Sequence, residues 1–126
     1  MTAPADLRRI ALSLPESYED VHRRRPAFRV RKRIFAMLGV TGNANLFAGL
    51  DEAGVAVVKL DREDQLNMAA VHPEAVRPTE SYGHHGWTYV RLDALDEPGL
   101  ETILRLAWVH VAPKRLSAPG VRPDAG

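Results

Sequence analysis

The sequence predicts an α+β fold, a two-layer sandwich in which helices pack on one face of an antiparallel sheet. Three observations predict it. Apolar residues recur at helical spacing near both ends of the chain, each set forming one stripe. Between them, residues 17–60 read as β-type segments with no helical interruption. Strands that follow one another without an intervening helix favour antiparallel pairing. Helices with one apolar stripe must cover something, and a sheet face is the available partner. The other sheet face is then left for water or a partner.

The first helix is predicted at residues 4–14. Leu7, Ile10, Ala11 and Leu14 fall at i, i+3, i+4 and i+7, which is one face of a helix. Thr2 or Thr2-Ala3 starts it, Pro4 suits its first turn, and Pro15 ends it by disfavouring helix in the preceding residue. Residues 17–23 read as an edge strand. Residues 27–31 alternate, with Phe28 and Val30 on one side and Arg29 and Arg31 on the other. Residues 34–40 form an apolar run expected at the sheet centre, and Arg31-Lys32-Arg33 is the hairpin tip before it. Further strands are predicted at 45–50 and 55–60, joined by the turn-forming Asp51-Glu52-Ala53-Gly54.

A second helix is predicted at 62–71, with Asp61 as N-cap and Glu63 and Asp64 at the positive end of its dipole. His72-Pro73 stops it. Residues 78–86 read as irregular, and 87–92 as a strand with Trp87, Tyr89 and Arg91 on one face. The last helix is capped by Asp96 and has Pro98 in its first turn. Leu100, Ile103, Leu104, Ala107, Trp108 and Val111 make its stripe, and Pro113 ends it. The order is helix, strands, helix, strand, helix. Residues 1–116 make one domain, and the Pro-, Gly- and Ala-rich residues 117–126 a flexible tail.

Composition narrows the function classes. The 126 residues are 45% hydrophobic, enough for one core without a metal or disulfide staple. The chain has no cysteine, which excludes disulfides, thiol chemistry and cysteine-ligated metal. The expectation is a soluble, cytoplasmic protein that needs no membrane and no cofactor. The net charge of +1 hides a polarised chain. Residues 1–50 hold nine Lys and Arg against four Asp and Glu, whereas residues 51–126 hold eight against twelve.

Several ordered segments resemble one family. They are Arg25-Pro26-Ala27-Phe28-Arg29-Val30, Ile34-Phe35-Ala36, Val58-Lys59-Leu60, Gly86-Trp87 and Ala112-Pro113-Lys114-Arg115-Leu116. With the capped last helix, the set resembles the MmcQ/YjbR family over residues 6–116. The resemblance implies a compact α+β "double wing" fold, likened to DNA-binding modules and sharing a layout with secretion-chaperone-like folds. It implies no catalytic residues. The family commonly has Gly-Lys at the first hairpin turn, where this chain has Lys32-Arg33.

The stretch from His22 to Arg33 carries the leading functional expectation. Seven of its twelve residues are Lys or Arg and none is acidic. Arg23, Arg24, Arg25, Arg31, Lys32 and Arg33 are the expected nucleic-acid contacts, with Arg29 beside them. The first three and the last two stand at opposite ends of the 27–31 strand. Phosphate offsets such self-repulsion well, because guanidinium offers forked donors and displaces counterions. The competing reading is a solvated hairpin whose arginines pair with Glu16, Glu19 and Asp20. Lys114 and Arg115 either extend the basic patch or complement the end of the last helix.

Other constellations are weaker. His84 and His85 would point to opposite sides of an extended chain, and no carboxylate lies at ligand spacing, so no metal site is expected. Trp87 and Trp108 read as packing residues. The acidic pairs Glu63-Asp64 and Asp96-Glu97 serve helix starts. No nucleophile elbow, phosphate loop or dinucleotide fingerprint is present, so the chain is not expected to be an enzyme. The main alternative is a protein-interaction or small-ligand module using the open sheet face, with a homodimer through that face as a variant.

Overall fold

In the computed structural model, residues 2–39, 54–79 and 82–114 are described. The predicted strand at 45–50, residue 40 of the apolar run, residues 51–53 of the predicted turn and the C-terminal tail lie outside them. The elements are α1 (Pro4–Ser13), β1 (Ser17–His22), β2 (Arg25–Val30), β3 (Arg33–Leu38), β4 (Val55–Lys59), α2 (Arg62–Val71), β5 (Val76–Pro78), β6 (Trp87–Arg91) and α3 (Glu97–Val111). The six strands form one sheet in the order β1-β2-β3-β4-β6-β5, and every pairing is antiparallel. The three helices lie on one face. The α+β sandwich expected from the pattern is the observed fold.

The helix-facing side of the sheet holds the main core. Phe28, Val30, Phe35, Ala36, Ala56, Val58 and Val90 meet Leu7, Ile10 and Ala11 of α1 and Leu100, Ile103 and Leu104 of α3. Full burial of each such Leu or Ile contributes roughly 1.5–3 kcal/mol. Asp96 caps α3 by accepting from Gly99 N–H at 2.9 Å, and Asp61 caps α2 by accepting from Glu63 N–H at 3.0 Å. Ala3 is the N-cap of α1, and the Asp6 carboxylate accepts from its N–H at 2.8 Å. Thr2 does not cap α1: it is buried and donates to Leu92 O at 2.6 Å.

Two departures from the sequence pattern shape the sheet. Phe28 pairs with Ala36 but Arg29 pairs with Ile34, so Phe35 is an extra residue in β3. This bulge lets both Phe35 and Ala36 join the core. Residues 78–86 are not wholly irregular. Pro78 ends the short edge strand β5, and Gly83–His85 form a single 3₁₀ turn. Gln65 of α2 holds this turn: its amide donates to Gly83 O and Thr88 Oγ1, each at 2.9 Å.

Facing away from the helices are Tyr18, Asp20 and His22 of β1, Arg25, Ala27 and Arg29 of β2, and Ile34 and Met37 of β3. They follow from the cross-strand register and the alternation of side chains. Val55, Val57 and Tyr89 form a second cluster on this side, with Trp87 packed against it. No described helix is long and apolar enough to cross a membrane.

Candidate nucleic-acid interface

Two hairpins share strand β2. His22 pairs with Arg25 across the β1–β2 turn, so Arg23 and Arg24 are its two central residues. Val30 pairs with Arg33 across the β2–β3 turn, so Arg31 and Lys32 are central there. Two-residue hairpin loops of this kind need positive φ at both centres, which is why Asn-Gly is favoured. Here φ is 52° and 68° at Arg23 and Arg24, and 51° and 70° at Arg31 and Lys32. A side chain in this region costs about 1–2 kcal/mol relative to ordinary backbone. All four costly positions carry a cation.

The tips lie at opposite ends of β2, as the sequence pattern implies. Six residues at about 3.4 Å rise set them about 20 Å apart. Arg23 and Arg24 are exposed at one tip, and Arg31, Lys32 and Arg33 at the other.

The basic residues divide by how they are engaged. Arg29 is tied down: its Nε lies 3.1 Å from Asp20 Oδ2, and its Nη1 donates to Lys32 O at 2.8 Å. It therefore braces the β2–β3 turn. Arg31 Nε lies 2.7 Å from Glu16 Oε1, an exposed pair open to exchange. Arg25 is half-buried and engaged, and its guanidinium lies so close to Gly39 that a side chain there would meet Nη1 at 2.5 Å. Arg23, Arg24, Lys32 and Arg33 have no carboxylate partner among the described residues. The nearby acids are partly consumed elsewhere, since Glu19 pairs with Arg8 at 2.9 Å. That hydrogen bond, and then the Glu19 charge, raises the Arg8 pKa further above its usual value.

The sequence reading did not single out Lys59. Its ammonium sits 5.0 Å from the centre of the Trp87 ring, across the β4–β6 pair. Burial, and secondarily the neighbouring Arg33, lowers its pKa below the usual lysine value. Lys59 is thus at the same end of the sheet as the Arg31–Arg33 tip. The period-2 pattern of Val55, Val57 and Lys59 signals one face, but the Trp87 pairing depends on strand order.

His84 and His85 do not point to opposite sides. The 3₁₀ turn brings their rings to 4.0 Å, and both are exposed. Among the described residues, no group of three His, Asp or Glu could hold a metal ion. Lys114 is exposed beyond α3, and Arg115 lies outside the described residues.

Together these features define a small α+β domain with one sheet face covered by helices and cationic hairpin tips at both ends of a shared strand. A family model described as YjbR matches residues 12–110, and the chain belongs to that family. Among solved structures, the chain is similar to a Deinococcus radiodurans protein with a DUF419 domain. The match has 20% identity and a TM-score of 0.67, and covers 99% of this chain and 86% of that one. At that identity the likeness concerns the fold. No curated protein matches.

Proposed function

We propose that this protein is a non-enzymatic, cytoplasmic binding module that contacts nucleic-acid phosphates through its two hairpin tips. One observation carries the reading. Each of the four positive-φ positions in the two turns holds Arg or Lys, where Asn or Gly would cost less. Backbone strain retained at exposed positions points to a role for the side chains displayed there. Those side chains are strong phosphate partners, and four basic residues, Arg23, Arg24, Lys32 and Arg33, are not claimed by the protein's own acids among the described residues.

A duplex lying along β2 would meet both tips about six base pairs apart, at about 3.4 Å per step. Contacts of this kind position the protein and read little sequence. Affinity should therefore be weakly selective and steeply salt-dependent. Fluorescence anisotropy with generic duplex and single-stranded DNA at several salt concentrations tests this. The triple variant Arg31→Glu, Lys32→Glu, Arg33→Glu should lose at least tenfold in affinity, on the order of the loss of two or three phosphate contacts, while keeping the parent's circular dichroism. Undiminished binding by that variant would remove the β2–β3 tip from the interface.

A further inference from the structure

The end of the sheet beside the Arg31–Arg33 tip carries a row of side chains on the helix-free face. Tyr18 pairs with Arg29, and Arg29 with Ile34. Lys59 pairs with Trp87. Ala36 pairs with Val58, so Lys59 stands diagonal to Ile34. The row Tyr18, Arg29, Ile34, Lys59, Trp87 thus crosses β1, β2, β3, β4 and β6. Four strand spacings of about 4.8 Å make it about 19 Å long. An aromatic ring stands at each end, with two cations and one aliphatic residue between them.

We propose that this row is a platform for a single strand of nucleic acid, with unpaired, non-adjacent bases on Tyr18 and Trp87 and one of the intervening phosphates on Lys59. The inference rests on the proposed phosphate-binding role of the adjacent tip and adds a preference for unpaired strands.

The chemistry is complementary on three counts. Open sheet faces recognise single strands by stacking bases on aromatic side chains while cations follow the backbone. Tyr18 is 41% exposed, although it is a large ring on an edge strand. Lys59 has no carboxylate partner among the described residues: its ammonium rests on the indole face and is desolvated there beside another cation. An arriving phosphate supplies the missing counter-charge, draws the ammonium off the ring, and leaves that face to a base. Arg29 is held by Asp20 and by the Lys32 carbonyl, so it forms the floor of the row.

The experiment is a titration of the full chain with a short single-stranded oligonucleotide and a duplex of equal length, read by tryptophan fluorescence and anisotropy. Trp108 is buried under α3 and 6% exposed, so it contributes a constant background. The single strand should quench Trp87 and bind more tightly than the duplex. Trp87→Leu and Tyr18→Leu should each weaken single-strand binding about tenfold and leave duplex binding unchanged. Lys59→Gln should weaken single-strand binding several-fold while preserving the fold. If the duplex binds but the single strand neither quenches nor binds better, the platform is wrong and the tip reading stands. The same holds if the Tyr18 and Lys59 variants bind single strands as the parent does. Absence of binding to either ligand at low salt overturns both.

Discussion

Gln65 is the one buried polar side chain of α2, with no exposed surface. Its amide nitrogen donates to Gly83 O, to Thr88 Oγ1 and, at 3.2 Å, to Trp87 O. Its carbonyl oxygen accepts from Arg62 Nη1 at 2.5 Å. One side chain therefore ties α2, the 3₁₀ turn and β6 together. Gln65→Ala strips Thr88 Oγ1 of its donor and opens a void, although Gly83 O and Trp87 O still accept from the N–H groups of Gly86 and Thr79, and should cost about 2–4 kcal/mol. Urea denaturation would show this as a lower midpoint, and a loss below about 1 kcal/mol would mean water replaces the amide. Gly86 is a second single-residue constraint. Its φ is +97°, and a Cβ there would come within 1.9 Å of Leu60 O. Gly86→Ala must displace the Leu60–Gly86 hydrogen bond, made at 2.8 Å, which registers β4 against β6. Lys59 differs in sign. Its pKa is lowered in the folded state, so the protonated form opposes folding below that pKa. This penalty fades as pH rises through the folded pKa toward the ordinary lysine value. Lys59→Met should therefore not lower the melting temperature at neutral pH, and any gain should shrink in alkaline buffer; a lower neutral-pH melting temperature would contradict the desolvation argument.

At the scale of elements, the two tight turns set stability against display. Replacing Arg23-Arg24 by Asn-Gly places favoured residues at φ 52° and 68°. The relief is partly offset by the freedom glycine adds to the unfolded chain. A net gain of about 1 kcal/mol is expected, read as a higher denaturation midpoint, together with weaker nucleic-acid binding. A gain in stability with unchanged affinity would mean that the tip is strained for no binding purpose. The β1–β2 turn is the cleaner test, because the same exchange at Arg31-Lys32 also removes the Glu16 pair. How far these elements were legible in the sequence follows from their physics. The α1 and α3 stripes recur over several turns, and Asp61 and Asp96 are side-chain caps that a local rule finds. Strand β5 escaped because three residues ending in proline carry no pattern. The Phe35 bulge escaped because an extra residue is defined only by the partner strand. The basic hairpin was legible as charge and as position at the two ends of β2. That Arg29 braces a turn depends on the bulged register of its own hairpin, and that Lys59 lies on Trp87 depends on pairing between strands far apart in sequence.

At the scale of the whole molecule, the near-neutral total charge makes long-range attraction to nucleic acid weak, so binding depends on the local fields of the tips. The salt dependence then counts the tips separately. Each phosphate neutralised on a duplex contributes about 0.9 to the slope of log affinity against log salt. Neutralising Arg23 and Arg24 should reduce the slope by about two, and neutralising Lys32 and Arg33 should reduce it by a similar amount. Neutralising both pairs should leave a slope of no more than about one, because Arg25 and Arg29 are engaged within the chain and only Arg31, in its exposed pair with Glu16, can exchange onto a phosphate. A single duplex spanning both tips gives these two reductions additively, and only with duplexes longer than about six base pairs. Shorter duplexes reach one tip at a time, and their slope should be about half that of the long ones. If the slope responds to one tip alone at every length, nucleic acid binds at one end of the sheet. The strained turn at the other end would then require a different anionic partner.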